Sequence, residues 1–129
     1  MKYIFTTLIL FLASLNIFSQ CPGGSIEVKV VLTTDNYAAE TTWQLKDKFG
    51  VVLMSNGVLT NSTTSTSTIC VASTGCLTFV INDSFGDGIC CNYGAGSFQI
   101  YVNNVLQTNN NGQFGGTYTY YFNCGPGES

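Results

Sequence analysis

Apolar residues recur at every second position in several short segments, and this pattern restricts the fold more than any other feature. Residues 26–32 read IEVKVVL, residues 77–82 read LTFVIN and residues 98–103 read FQIYVN. Successive side chains of a β-strand point to opposite faces, so each segment buries one face and exposes the other. No segment carries the sustained 3.6-residue period of a capped helix. The sequence therefore predicts an all-β chain, folded as an antiparallel β-sandwich of jelly-roll type.

Other segments fit the same architecture. Residues 41–47 and 51–54 are expected to pair as a hairpin, with Trp43 in the core. The Thr-rich stretch 61–71 has the β-branched content of an exposed edge strand. Asn103 and Asn104 separate two apolar segments and predict a tight hairpin turn. The pattern indicates about eight short strands broken by turns.

The first twenty residues have the pattern of an export signal. Lys2 provides a basic start, an apolar run follows, and Ser19-Gln20 provides a polar exit. The alternatives are a membrane anchor and a lipid on Cys21. However, the run is short for a membrane span, and Gln20 is large where lipoprotein cleavage needs a small residue. We expect 21–129 to form a single domain, secreted or at the cell surface, without membrane insertion in its mature form.

The chain has six cysteines: Cys21, Cys70, Cys76, Cys90, Cys91 and Cys124. In a small exported chain, six cysteines predict three disulfides, and the absence of histidine together with the spacing argues against zinc. We expect Cys21 to pair with Cys124, because the ends of a sandwich often lie together. Cys76 is expected to pair with Cys90 or Cys91, and Cys70 with the other. Adjacent residues on an extended backbone face opposite sides, so Cys90 and Cys91 should have different partners.

The charge composition excludes several functional classes. The chain has four lysines, seven acidic residues and neither arginine nor histidine. Binding to nucleic acid or to anionic lipid needs clustered basic residues, so neither is expected. Without histidine, a Ser/His/Asp or Cys/His mechanism is excluded. A glycosidase could use paired carboxylates, but two acids four residues apart on a glycine-rich loop are poorly preorganised for this. We therefore expect a protein that is not an enzyme.

Four of the seven acidic residues lie in two loops: Asp35, Glu40, Asp83 and Asp87. If the first and fifth strands are neighbours, the loops that follow them meet at one end of the sandwich. Carboxylates brought together without basic partners repel one another unless a cation bridges them. Calcium suits an irregular, glycine-rich loop with oxygen ligands, although the spacing is not that of an EF-hand. The alternative is that Asp83 and Asp87 only accept backbone N–H bonds in turns.

Two stretches of the chain resemble a cysteine-rich module of exported proteins from gliding and marine bacteria and some algae. The stretches are TTDNYAAETTWQLKD and CLTFVINDSFGDGICCNYGAGSFQIYVN. The module combines TDxYxxExxWxL with DSxGDGICCxxGxGxY, and it occurs alone, repeated, or appended to extracellular proteases and adhesins. The chain departs from the pattern at Ala38, where proline is usual, and at Phe85 and Phe98, where tyrosine is usual. The resemblance implies export and a disulfide-stapled β-module rather than a particular activity.

These observations predict a non-catalytic extracellular binding or adhesion module that binds glycans and is stabilised by calcium. Tyr93 and Tyr120 are the candidate residues for stacking on a sugar, and core or rim packing is the alternative role for each ring. The expected partner is an extracellular glycan or protein surface. A structural subunit of an extracellular assembly or filament, which binds copies of itself, is the second hypothesis. A secreted hydrolase is the third.

Overall fold

The computed structural model describes residues 21–128, and these form ten β-strands and one short 3₁₀ turn at Ala38–Glu40. The strands are β1 (Ser25–Thr33), β2 (Thr41–Lys46), β3 (Val52–Ser55), β4 (Thr64–Ala72), β5 (Leu77–Asp83), β6 (Cys90–Cys91), β7 (Gly94–Ala95), β8 (Ser97–Val102), β9 (Val105–Asn110) and β10 (Thr117–Phe122). The predicted export signal, 1–20, lies outside the described residues. Within 21–128, no helix has the length and apolar character needed to cross a membrane.

The eight longer strands build two antiparallel sheets that pack against each other. The first sheet has the order β4-β1-β8-β9 and the second has the order β10-β5-β2-β3, while β6 and β7 form a separate two-stranded ribbon. Apolar side chains from both sheets share one core. The predicted all-β, disulfide-stapled sandwich is therefore confirmed. The finer jelly-roll connectivity stays a prediction.

The alternation read from the sequence explains how the core forms. In β1, buried Val28, Val30 and Leu32 alternate with residues that are only partly covered. From the other sheet, Trp43 packs on Phe79, whose ring centroid lies 5.2 Å from that of Phe98 across the core. The Trp43 side chain is 2% exposed, which confirms its predicted place in the core. Burying such large rings supplies much of the driving force for pairing the sheets.

Two local predictions are also confirmed. The Thr-rich segment forms β4, the edge strand of the first sheet, and exposed residues alternate along most of its length. Asn103 and Asn104 join β8 to β9 with φ values of 47° and 63°. A two-residue turn with φ > 0 at both positions matches the twist of a hairpin, and asparagine tolerates this conformation.

The predicted disulfide pairing is wrong. The structure joins Cys21 to Cys70, Cys76 to Cys124, and Cys90 to Cys91. All six cysteines are thus in disulfides, as expected, but none has its predicted partner.

Strand pairing explains the two long-range bonds. Because β1 pairs with β4, the chain before β1 lies beside the end of β4, where Cys70 is found. Because β10 pairs with β5 in the register Phe122↔Leu77, Cys124 follows β10 next to Cys76, which precedes β5. These two bonds lie at one end of the sandwich, and the seven residues of β5 carry the chain roughly 23 Å toward the other end, where Cys90 and Cys91 are. The adjacent cysteines are thus out of reach of the other four.

Candidate metal and ligand site

The sandwich has two chemically different ends. At the disulfide end lie the bonds Cys21–Cys70 and Cys76–Cys124 together with the turn at residues 47–50. At the acidic end lie the loop after β1, residues 34–40, and the Asp/Gly loop after β5, residues 84–96. All four acidic residues predicted from the sequence belong to the acidic end.

Strand pairing in the second sheet brings Glu40 to Asp83. The premise that the first and fifth strands are neighbours is wrong, because β1 and β5 belong to different sheets. The neighbours of β5 are β10 and β2, and β2 places Thr41 directly opposite Asp83. Glu40 immediately precedes Thr41, and its carbonyl oxygen accepts a hydrogen bond from the Ser84 N–H at 2.9 Å. The loops therefore meet through β2–β5 pairing.

Three carboxylates converge at this point. Glu40, Asp83 and Asp87, called the acidic cluster below, each offer a carboxylate oxygen, and these oxygens all lie within 4.8 Å of one another. Asp83 is buried, Glu40 is half-buried and Asp87 is exposed. Such close approach of negative charges is unfavourable unless protons or a cation compensate it.

The pKa values of two of these carboxyls, Glu40 and Asp87, are raised. Desolvation raises the pKa of Glu40, and the negative charges of Asp83, Asp87 and Asp35 raise it further. Desolvation also raises the pKa of Asp87, followed by its hydrogen bond to Asp83 and the charge of that residue. Both carboxyls are therefore harder to ionise than free ones, as expected for groups held near like charge without a cation.

No lysine of the described residues compensates the acidic cluster. Lys29 donates a hydrogen bond to Asn104, and its ammonium lies 4.7 Å from the ring centroid of Tyr101. Lys48 lies over the Phe49 ring at the disulfide end. Lys46 is the last residue of β2, roughly 17 Å along the strand from Thr41. Compensation of the cluster therefore comes from protons or from a cation rather than from a lysine of the described residues.

Asp83 accepts backbone hydrogen bonds from the Asp/Gly loop. One of its carboxylate oxygens, Oδ2, accepts hydrogen bonds from the N–H groups of Asp87 at 2.8 Å and Gly88 at 3.1 Å. Asp83 therefore shapes the turn, as the turn-only alternative proposes. An ionised carboxylate has about four acceptor positions, so the second oxygen keeps its capacity for another partner. The turn role and a metal role are compatible.

A buried hydroxyl beside the acidic cluster lacks a partner. Thr41 is 2% exposed, and its Oγ1 has no hydrogen bond. Residues directly opposite in an antiparallel pair point to the same face with their Cβ atoms about 4.5–5.5 Å apart, so the Thr41 side chain lies beside that of Asp83. An unpartnered buried hydroxyl costs about 1–3 kcal/mol. The unpartnered Thr41 hydroxyl therefore lies beside Asp83, the buried member of the acidic cluster.

Asp35, the fourth predicted ligand, lies close by but outside the cluster. Its Oδ1 accepts a hydrogen bond from the Tyr37 N–H at 2.8 Å, and the residue is buried. Next to Asp35, the Asn36 N–H donates a hydrogen bond to the Tyr93 carbonyl oxygen of the Asp/Gly loop. At Gly94, where φ is +135°, an added Cβ would lie 3.1 Å from the Asp35 Cα and Cβ. Asp35 thus joins the two loops and adds negative charge.

The Asp/Gly loop is fixed by backbone packing. Ile89 is fully buried in the core, and its N–H donates to the Gly112 carbonyl oxygen at 2.9 Å. At Gly88, an added Cβ would collide with that same carbonyl oxygen. The loop therefore needs glycine at 88 for a close backbone contact, and this contact holds Asp87 near Asp83.

A small cavity of about 170 Å³ adjoins the acidic cluster. Its lining residues are Tyr37, Glu40, Phe85, Asp87 and Tyr93, and we call it the aromatic cavity. The three rings are 49%, 75% and 46% exposed for Tyr37, Phe85 and Tyr93. Tyr37 and Tyr93 meet edge to face with centroids 5.2 Å apart. Sequence reasoning chose Tyr93 but missed Tyr37, although Tyr37 lies two residues after Asp35.

The structure does not bring Tyr120 to this cavity. Tyr120 lies opposite buried Phe79 in the β10–β5 pair and packs against the core. Its ring stacks on Phe122, and its hydroxyl donates to the Gln107 carbonyl oxygen at 2.9 Å. Its contacts are those of a packing residue.

A larger cavity, of about 470 Å³, lies at the disulfide end. It is lined by residues 47–49, 69–72 and 74–77 with Leu53. Its lining is largely apolar and includes half of each long-range disulfide. Size alone would favour it as a binding site, but the acidic and exposed aromatic groups converge at the smaller cavity.

Comparisons with known proteins yield no match: no protein-family model, curated protein or solved structure is significantly similar to this chain. The resemblance to the cysteine-rich exported module stays a prediction.

Proposed function

We propose that this protein is a non-catalytic extracellular binding module whose acidic end holds a calcium ion. The observation that carries the proposal is the convergence of Glu40, Asp83 and Asp87 beside the unpartnered hydroxyl of Thr41. Calcium takes six to eight oxygen ligands in irregular geometry, and carboxylates from separate loops are typical ligands. The ion would offset the mutual repulsion and give the Thr41 oxygen a partner, directly or through a bound water.

The residues around the proposed ion site support a binding role. Two candidate ligands, Glu40 and Asp87, also line the aromatic cavity, where three exposed rings offer stacking surface. Neutral, hydroxyl-rich glycans are the ligand class we propose, with an adhesive role at the cell surface or in the surrounding medium. The chain has no histidine for a Ser/His/Asp or Cys/His mechanism, and the role that we propose for the carboxylates is ion binding rather than hydrolysis.

Calcium titration of the purified protein tests the proposal. Wild type should bind calcium in a calorimeter, and its melting temperature should rise with calcium. An ion bound only by the folded state stabilises it by about 2.7 kcal/mol when its concentration is one hundred times Kd. Asp87→Asn and Glu40→Gln should each weaken calcium binding and reduce this rise. Equal melting temperatures of wild type in calcium and in chelator would support the turn-only role of the acidic residues instead.

Glu27→Gln is the matched control for Glu40→Gln. It removes the same charge from a residue of β1 near the disulfide end, and it should leave calcium binding unchanged. Asp83→Asn is a less selective variant, because Asp83 also accepts two backbone hydrogen bonds. It should weaken calcium binding and lower the melting temperature even in chelator. Asp87→Asn should lower the melting temperature only in calcium, because in chelator it relieves repulsion within the acidic cluster.

Self-association is the second candidate function, and one observation favours it. β9 is an edge strand whose Val105 and Leu106 are exposed. Unpaired strand edges with apolar residues invite pairing with another chain. Sedimentation over a range of protein concentrations distinguishes a structural subunit, which assembles, from a monomeric binding module.

A further inference from the structure

We propose that the aromatic cavity binds one neutral sugar ring, two adjacent hydroxyls of which coordinate the calcium ion held by the acidic cluster. This inference rests on the calcium site proposed above and names the ligand of that site. It makes the ion part of the binding surface rather than only a stabiliser of the fold.

Glu40 and Asp87 belong both to the acidic cluster and to the lining of the aromatic cavity. An ion that contacts their carboxylates therefore borders the cavity. Asp83, in contrast, is 5% exposed and already accepts two N–H bonds with one oxygen. The protein thus offers few oxygens for an ion that takes six to eight, and external oxygens can complete the coordination.

Aromatic side chains form the rest of the cavity lining. Tyr37, Phe85 and Tyr93 present ring surface to the cavity, and Tyr37 and Tyr93 support each other edge to face. Aromatic faces pack on apolar C–H surface, and tyrosine adds a hydroxyl that hydrogen-bonds. A sugar ring has both an apolar face and a rim of hydroxyls, so it matches a cavity lined by aromatic rings and by two candidate metal ligands.

The net charge of the site and the volume of the cavity restrict the ligand that can bind. Three carboxylates with one divalent cation leave net negative charge, and Asp35 adds to it, so the site disfavours anionic ligands. The cavity volume of about 170 Å³ is below the roughly 300–1,000 Å³ of pockets for drug-sized ligands. A single neutral ring fits this constraint better than a longer or charged ligand.

The test uses methyl α-mannoside, which has adjacent hydroxyls, and its 3-deoxy derivative, which has no adjacent pair on the ring. Saturation-transfer NMR with the whole protein should detect the mannoside in calcium and lose it in chelator. The 3-deoxy sugar should bind at least tenfold more weakly. Methyl glucoside, galactoside and fucoside serve as further diol-bearing probes, so the conclusion does not depend on one configuration.

Two variants connect binding to the cavity. Tyr93→Ala should weaken sugar binding about fivefold to tenfold while calcium affinity in the calorimeter stays unchanged. Tyr121→Ala is the matched control, because Tyr121 is exposed on β10 and does not line the aromatic cavity. Phe85→Ala, which removes the most exposed ring, provides a second variant if Tyr93→Ala does not fold.

The possible outcomes separate this inference from the proposed function. Calcium binding without binding of any diol-bearing sugar overturns the sugar inference and leaves the metal site intact. Sugar binding that persists in chelator overturns the calcium bridge. Binding of choline that strengthens when calcium is removed identifies a cation-binding aromatic cage and also overturns the inference. Absence of calcium binding overturns both proposals.

Discussion

The two ends of the sandwich hold their chain segments together by different interactions. The disulfide end joins distant chain segments covalently, through Cys21–Cys70 and Cys76–Cys124. The acidic end uses close backbone contacts at Gly88 and hydrogen bonds to Asp83, while its only disulfide joins neighbouring residues. The larger cavity lies at the first end and the acidic cluster at the second. The comparison suggests a division of roles: disulfides at one end hold the fold closed, and the other end carries the ion site that we propose.

The largest expected effect follows from removing a long-range disulfide. Cys76 and Cys124 are 48 residues apart, and a cross-link of this length restricts the unfolded chain by about 4 kcal/mol. Cys76→Ala combined with Cys124→Ala should lower the free energy of unfolding by roughly this amount in urea titrations. Calcium affinity of the folded double variant should stay unchanged, because the bond lies at the opposite end from the acidic cluster.

The adjacent pair provides the contrast. Cys90–Cys91 closes no chain loop, so Cys90→Ser with Cys91→Ser should cost much less through chain entropy than loss of Cys76–Cys124. Equal costs for the two double variants would contradict the assignment of covalent stabilisation to the disulfide end.

Thr41→Val is expected to have a smaller effect on stability, and the sign of this effect should differ between chelator and calcium. In chelator, Thr41→Val removes an unpartnered buried hydroxyl and should stabilise the protein by about 1 kcal/mol. In calcium, the same change removes an oxygen next to the ion and should weaken calcium binding. Thermal unfolding of wild type and variant, each in calcium and in chelator, measures whether the change stabilises or destabilises the protein. Stabilisation of equal size in calcium and in chelator would show that the hydroxyl has no role in ion binding.

The alternating apolar segments allowed the sandwich, the Thr-rich edge strand and the Asn103-Asn104 turn to be predicted from the sequence. These features depend on local patterns of side-chain alternation and turn preference. The disulfide partners depend instead on which strands pair across the sheets, and no local pattern fixes that order. The expectation that Cys21 pairs with Cys124 failed for this reason, because β1 and β10 lie in different sheets.

The candidate site was predictable in part. The sequence places Glu40, Asp83 and Asp87 in two loops, and their lack of basic neighbours suggested convergence on a cation. The convergence arises from β2–β5 pairing rather than from the first and fifth strands. Thr41 could not have been singled out, because its significance lies in a missing hydrogen bond that only the packed structure reveals. Tyr37 lies only two residues after Asp35, but its contact with Tyr93 forms only when the two loops meet.

Locating the ion itself tests the central claim most directly. Crystals of the protein grown with calcium should show one anomalous-difference peak at the acidic end, with oxygens of Glu40, Asp83 and Asp87 at about 2.3–2.6 Å from it. In crystals of Asp87→Asn, that peak should weaken or vanish, while crystals of Glu27→Gln should keep it. A peak elsewhere, or no peak between the three carboxylates at saturating calcium, would contradict the account.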